Sequence, residues 1–273
     1  MLRNRPLAVV AALAASTSLA TAATASAKTS ITMSGSTSVA PLAKELAKAF
    51  LAQPKYKGKV KFVLLQGGSD IGITDASRGR VTLGMSSRDP KPADPGGIVF
   101  NKVARDAVCV VTNRSNPIPT LSQKQIQDVF SGRIRSWSQV PGARVSGPID
   151  LVVRTPASGT QDAFQNIFMG QSLRVAGSAT TKSSNGLQAQ TIKSNPNAIG
   201  YASFNFTGGL HDVPYAGVGC NLRNAKSGQY GGARNFFLVS RGAPRGAAKA
   251  FIRFARRSAT AKQIIATNWV PLR

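Results

Sequence analysis

Four times along this chain a cluster of Gly, Ser and Thr stands where an apolar, strand-like run gives way to a helical pattern. The clusters are Ser34-Gly35-Ser36-Thr37-Ser38, Gln66-Gly67-Gly68-Ser69, Ser86-Ser87-Arg88 and Ala157-Ser158-Gly159-Thr160. Short apolar runs alternating with amphipathic stretches are the pattern of an α/β fold, in which strands feed helices that cover a largely buried sheet. Strands are predicted at 29–33, 59–65, 80–85, 107–112, 149–153, 199–204 and 235–239. Helices are predicted at 41–51, 69–78, 122–130, 160–169, 243–257 and 259–268. A helix start leaves several backbone N–H groups unpaired and carries partial positive charge. Glycine lets an anion approach that backbone, and Ser or Thr hydroxyls add donors beside it. One such loop reads equally well as an ordinary cap, because Ser and Thr are common N-caps. Four in one chain, one of them preceded by Arg154, point to a bound oxyanion.

The first residues set the expected compartment. Arg3 and Arg5 precede an apolar run from Leu7, which leads into a small-residue stretch ending Ala25-Ser26-Ala27. A basic start, a short apolar middle and an Ala-x-Ala site read as a secretory signal peptide over residues 1–27, cleaved after Ala27. No cysteine lies near that point, so no lipid anchor is expected, and the mature protein is expected to be periplasmic or secreted. The two cysteines, Cys109 and Cys220, are far apart in sequence; in an oxidising compartment they are expected to be bridged, the alternative being two buried thiols. The 35 basic and 10 acidic residues give a formal net charge of +25. That surplus favours an anionic partner. The basic residues are scattered, however, and no nucleic-acid-binding motif accompanies them, so nucleic acid is not an expected partner.

With these residues in view the chain resembles a family. The stretch Ile31-Thr-Met-Ser-Gly-Ser-Thr-Ser-Val-Ala-Pro-Leu42 is similar to the opening of the phosphate-binding proteins of phosphate ABC transporters. The likeness continues in order through Gln66–Ser69, Gly84–Arg88, Leu121…Trp137, Val152…Thr160, Ala198–Tyr201 and Gly228–Tyr230. The resemblance implies a two-lobed type II periplasmic-binding-protein fold with two crossover strands and a central ligand cleft. Crossovers would fall near Ala107 and between Tyr201 and Phe206. Lobe 1 would then hold residues 28–107 plus 206–273, and lobe 2 residues 108–205. Carried over by position, Thr37, Ser38, Ser69, Ser87, Ser158, Gly159 and Thr160 would donate to inorganic phosphate or a similar oxyanion, and Arg154 would pair with it. A monomer delivering its ligand to a membrane ABC permease is implied, with no cofactor.

Two positions depart from that pattern. Family members place an acid after the Ser of the third loop, where it accepts the proton of monohydrogen phosphate; here the residue is Arg88. Many also carry an acid two residues before the Ser of Ser-Gly-Thr, and here that residue is Pro156. Asp70, beside Ser69, is the candidate replacement acceptor, and a sulfate or other oxyanion binder is the nearest alternative. A secreted hydrolase of phosphate esters is the alternative from another class. It finds little support. The single histidine, His211, lies beside Asp212 in a Gly-rich stretch that reads as surface loop, no Gly-x-Ser-x-Gly elbow is present, and no His/Cys/Asp/Glu cluster has metal-ligand spacing. Trp137, Phe164 and Phe168 read as core by their spacing rather than as stacking groups.

Overall fold

The structure, a computed structural model, describes residues 28–272. The expected signal peptide and the expected cleavage after Ala27 lie outside the described residues. In chain order the first elements are β1 (Thr29–Gly35), α1 (Val39–Leu51), β2 (Val60–Leu64), α2 (Ser69–Ser77), β3 (Leu83–Ser86), β4 (Ile98–Thr112), α3 (Gln123–Phe130) and β5 (Asp150–Arg154). There follow α4 (Gly159–Phe164), β6 (Thr180–Lys182), α5 (Asn185–Lys193), β7 (Ala198–Ser203), β8 (His211–Val213), α6 (Leu222–Ser227), β9 (Ala233–Arg241), α7 (Gly246–Arg257) and α8 (Ala259–Asn268). No described helix is long and apolar enough to cross a membrane.

The helices form for local reasons. In α1 the buried Leu42, Ala43, Leu46, Ala47 and Phe50 recur at helical spacing. Pro41 sits in its first turn, where a missing N–H has no intrahelical partner to lose. In α3 Ser122 and Gln125 close a capping box, each side chain bonding the other's backbone N–H.

The strands run in the order β2-β1-β3-β9-β4-β7-β5-β6, with β8 also paired to β4. The 15-residue β4 holds the two lobes in one frame: Ile98–Ala107 pairs antiparallel with β9, while Val108–Thr112 pairs with β7 and β8. One core fills the space between the first lobe's sheet and α1, α7 and α8, around Phe50, Leu83, Phe236 and Phe251. A second lies between the other lobe's sheet and α3 and α4, around Val108, Phe130, Trp137, Phe164, Phe168 and Tyr201. Trp137, Phe164 and Phe168 are therefore core residues, each fully buried.

Several expectations are corrected. The strand predicted from Ala107 begins at Ile98, because a register shift between Lys102 and Ala104 and buried polar residues at Asn101 and Asp106 mask its alternation. No helix follows Ser86-Ser87-Arg88; the chain reaches β4 through an irregular segment. The helix expected over 160–169 is α-helical only to Phe164 and continues as a π-helical turn over Gln165–Met169. The return to the first lobe does not occur near Phe206. There β8 still pairs with β4 opposite Val110–Thr112, and the chain rejoins the first sheet only at β9. His211 stands in β8 rather than in a surface loop, half-buried, with its Nε2 2.7 Å from the Ile118 carbonyl.

Its neighbour Asp212 sets a pH dependence. Burial pushes this carboxyl up to about 6, opposed by the Thr207 hydroxyl and by His211. The folded state thus holds a proton between about pH 4 and 6 that the unfolded chain has released, so stability falls as pH rises through that window. Asp212→Asn is expected to flatten the stability profile between pH 4 and 6. At pH 7 it should add about 1–2 kcal/mol, less than the full shift because the group is half-buried. Urea unfolding at pH 4, 5, 6 and 7 checks this; an unchanged slope would refute it.

Candidate functional site

The N-termini of α1, α2 and α4 converge where the lobes meet, and the hydroxyls of their Gly/Ser/Thr clusters interlock there. From α1, Ser38 Oγ lies 3.0 Å from Thr160 Oγ1 of α4. Asn185 Nδ2, at the start of α5, donates to both Thr37 Oγ1 (2.9 Å) and Ser38 Oγ (2.8 Å). Arg234 Nη2 of β9 also donates to Ser38 Oγ, at 2.9 Å. The last two donors carry no acceptor, so they take both lone pairs of Ser38 and its own proton goes to Thr160. The hydroxyl hydrogens of Thr160 and Thr37 are then left to point at a ligand.

The second group of hydroxyls belongs to the clusters before α2 and after β3. Ser36 donates to Ser87 Oγ at 2.8 Å, and the Ser87 backbone N–H donates to Ser69 Oγ at 3.0 Å. Gly159 packs directly on this pair: a Cβ built there would lie 2.3 Å from Ser69 Oγ and 2.7 Å from Ser87 Oγ. Gly68, at φ 109°, makes the reciprocal approach, with the Ala157 carbonyl 2.6 Å from where its Cβ would be. The Asp70 N–H donates across the same junction to the Ala157 carbonyl at 3.1 Å. Glycine is needed at both places because the lobes touch backbone to backbone. Ser158 caps α4 by accepting from the N–H groups of Thr160 and Gln161, which leaves its own proton free to donate.

Two buried guanidiniums lie in this part of the molecule: Arg234 bonds Ser38 of the cluster, and Arg154 is near enough to Arg234 to feel its charge. Arg154, 2% exposed at the end of β5, donates from Nε to the Lys182 carbonyl (3.1 Å) and from Nη2 to the Ser183 carbonyl (2.8 Å). Its Nη1 is buried without a partner. Burial holds this guanidinium down to about 10, with the Arg234 charge acting in the same direction. Arg234, 5% exposed, donates to Asp106 Oδ2 from Nε (3.0 Å) and Nη2 (2.7 Å), and its Nη1 is likewise buried and unpartnered. Burial also pushes Arg234 down, against the pull of Asp106. Two cations with orphaned donors, beside hydroxyls and helix N-termini, form an environment that an anion completes. A cavity of about 220 Å³ reaches this region past Ser87 and Arg234.

Asp70, the candidate acceptor, is tied to the third loop through one carboxylate oxygen. Arg88 Nε donates to Asp70 Oδ1 at 2.7 Å, and the same guanidinium grips Asp94 at 3.0 and 2.5 Å. Burial works against the Arg88 charge, but its bonds to Asp94 and Asp70 outweigh it and raise its pKa. Arg88 thus locks the third loop to α2 and does not turn into the site.

The profile of the PBP superfamily domain matches residues 20–258. The chain belongs to the PBP superfamily. Among solved structures, a phosphate ABC transporter substrate-binding protein with bound phosphate from Clostridium perfringens is 30% identical, with a TM-score of 0.83 over 89% of this chain and 100% of that one. An ABC-type phosphate transport receptor from Vibrio cholerae is 26% identical, with a TM-score of 0.71 over 89% of this chain and 100% of that one. Among curated relatives, the phosphate-binding protein PstS of Bacillus subtilis is 25% identical over 241 residues, 85% of this chain and 77% of that protein. Phosphate-binding protein PstS 2 of Streptococcus agalactiae is 35% identical over 109 residues, 40% of this chain; the match spans only 36% of that protein's length.

In this PBP-superfamily chain the candidate site contains four residues that sequence reasoning missed: Asn185, Arg234, Asp106 and Ser203, whose hydroxyl donates to Asp106 Oδ2 at 2.7 Å. Asn185 opens a helix whose buried face mixes Asn185 and Gln188, both fully buried, with Ala189 and Ile192, so apolar periodicity passes it over. The Ser184 cap before it was the one available local signal. Asp106 and Arg234 lie opposite each other on β4 and β9. No local pattern marks a pair formed across so long a separation.

Proposed function

We propose that this protein is an extracytoplasmic solute-binding protein, not an enzyme. It captures inorganic phosphate between its lobes and, as a monomer, delivers it to a membrane ABC permease. The observation that carries the reading is the pair of buried guanidiniums, Arg154 and Arg234, each with an unpartnered Nη1, with Arg234 bonded to Ser38 where that hydroxyl meets Thr160 of the other lobe. Thr37, Ser38, Ser69, Ser158, Gly159, Thr160 and Arg154 would hold the anion, with Ser87 behind Ser69. Because donors come from both sides, ligand favours closure: an anion touching both lobes binds the closed state better than the open one. The phosphate named for the Clostridium perfringens structure and the PstS relatives supports the same ligand class here.

Isothermal titration of the mature protein with inorganic phosphate at pH 7.5 tests the proposal. One site per chain is expected, and phosphate at about 100 times Kd should stabilise the fold by about 2.7 kcal/mol. Binding should change little with added sodium chloride, unlike loose polyanion binding to the basic surface. Absence of both heat and thermal stabilisation would refute phosphate capture, and turnover of a phosphate ester would refute the non-enzymatic reading.

A further inference from the structure

Basic residues that are scattered along the sequence are gathered by the fold on one face of the first lobe. From Val213 to Arg273 the chain holds no Asp or Glu. Helices α1, α7 and α8 pack together over one side of the first-lobe sheet, around Phe50, Phe251 and Ile265. Within α7, Ala248, Phe251, Ile252, Phe254 and Ala255 turn inward. Its other side exposes Arg245, at the N-cap, then Lys249, Arg253, Arg256 and Arg257. Helical spacing puts these five on one stripe, about 18 Å long at about 1.5 Å of rise per residue. Lys48 of α1 and Lys55 in the turn after it widen the stripe: Tyr56 stacks on Phe50, which touches Phe251 and Phe254 of α7.

Little inside the protein neutralises this charge. Glu45 is the one acid on the three helices. None of the ion pairs among the described residues includes Arg245 or a residue of α1, α7 or α8. Like charges four apart on a helix repel, so the stripe costs stability until an anionic partner covers it. That partner is extended, because a single small anion cannot span the stripe.

A cavity beside the stripe narrows the choice. It encloses about 470 Å³ between α7, α8 and the segment after α8, with Val103, Ile265, Pro271 and Leu272 as apolar walls and Arg256 and Lys262 as its cations. We propose that this face docks on the surface of an anionic phospholipid bilayer. Phosphate head groups meet the stripe, and the cavity takes the upper acyl chain of one lipid beside Arg256 and Lys262. A soluble polyanion would use the stripe and leave the apolar walls empty. The contact is peripheral, since no described helix is long and apolar enough to cross a membrane. The inference goes beyond phosphate capture and does not rest on it: no residue of the anion cluster lies on the stripe or lines this cavity.

Co-sedimentation of the mature protein with vesicles tests the proposal. Vesicles of equal parts phosphatidylcholine and phosphatidylglycerol should bind the protein at about 0.1 M sodium chloride and release it at about 1 M, where the Debye length falls from about 10 Å to about 3 Å. Pure phosphatidylcholine vesicles should not bind it. Lys249→Glu/Arg253→Glu, at two exposed positions, should weaken vesicle binding by about 30-fold or more, since each Lys or Arg near an anionic surface contributes about a factor of five. Arg114→Glu/Arg144→Glu makes the same charge change at exposed sites of the second lobe and should leave binding within about threefold. Polyuridylate, a soluble polyanion, should bind more weakly than the vesicles at equal phosphate concentration. No binding of the wild type to the anionic vesicles would overturn the proposal, whatever the variants do. Equal losses in the two double variants would reduce the effect to net charge, and tighter binding of polyuridylate would put a soluble polyanion in the bilayer's place; either result overturns it as well.

Discussion

Arg154→Met is expected to weaken phosphate binding by about 3 kcal/mol or more, at least a hundredfold, while leaving the unliganded fold within about 1 kcal/mol of wild type. The two halves of that expectation have one cause. Removing one partner of a buried, hydrogen-bonded charge pair strands the other, and here the stranded partner would be the anion. Without ligand the balance differs, because Nη1 of Arg154 is already buried without a partner and burial already disfavours its charge. Methionine fills a similar volume and removes that cost, which offsets the loss of the bonds to the Lys182 and Ser183 carbonyls. Arg154→Lys should fall between the two, since an ammonium cannot hold both carbonyls and still reach forward with a planar fork. Titration calorimetry and thermal melting with and without phosphate separate these effects. Affinity within threefold of wild type would mean that Arg154 does not touch the ligand.

The second large effect is on stability. The structure joins Cys109, in the second-lobe half of β4, to Cys220, just before α6, across a sequence separation of 111 residues. Both cysteines are buried, in a core with Ala202, Leu210 and Tyr230. The bridge thereby pins the segment between β8 and β9, which returns the chain to the first lobe, against the strand that joins the lobes. Chain-entropy arguments assign a crosslink over such a loop about 4 kcal/mol. The double variant Cys109→Ala/Cys220→Ala should lose about that much, lowering Tm on the order of 10 °C for a domain of this size. Phosphate affinity measured well below Tm should stay within a few-fold, because the anion cluster is built from other residues. A loss under about 1 kcal/mol in urea unfolding would show that the unfolded chain is not the state the bridge constrains.

Much of the proposed site is legible in the sequence because its parts are local. A Gly/Ser/Thr cluster at a strand end is read from neighbouring residues alone, and Thr37, Ser38, Ser69, Ser158, Gly159 and Thr160 are all of that kind. Arg154 was legible because it closes β5 three residues ahead of such a cluster. Where local pattern and tertiary role parted, the reading went astray. The cluster at Ser86-Ser87-Arg88 has the composition of a helix start, yet no helix follows, and Arg88 is spent on holding Asp70 and Asp94. His211 sits in a Gly-rich stretch that composition assigns to a loop, yet β8 forms because β4 presents an unpaired edge there.

By itself the sequence determined the α/β alternation, the helix starts with their donors, and one of the two buried arginines, since each follows from spacing within a dozen residues. Tertiary structure alone decided what completes the site. Thr37 meets Asn185 across 148 residues and Ser38 meets Arg234 across 196, because antiparallel pairing of β4 with β9 and closure of the lobes bring them together. A contact of that range leaves no periodicity in the chain, so it is seen only once the strands are paired.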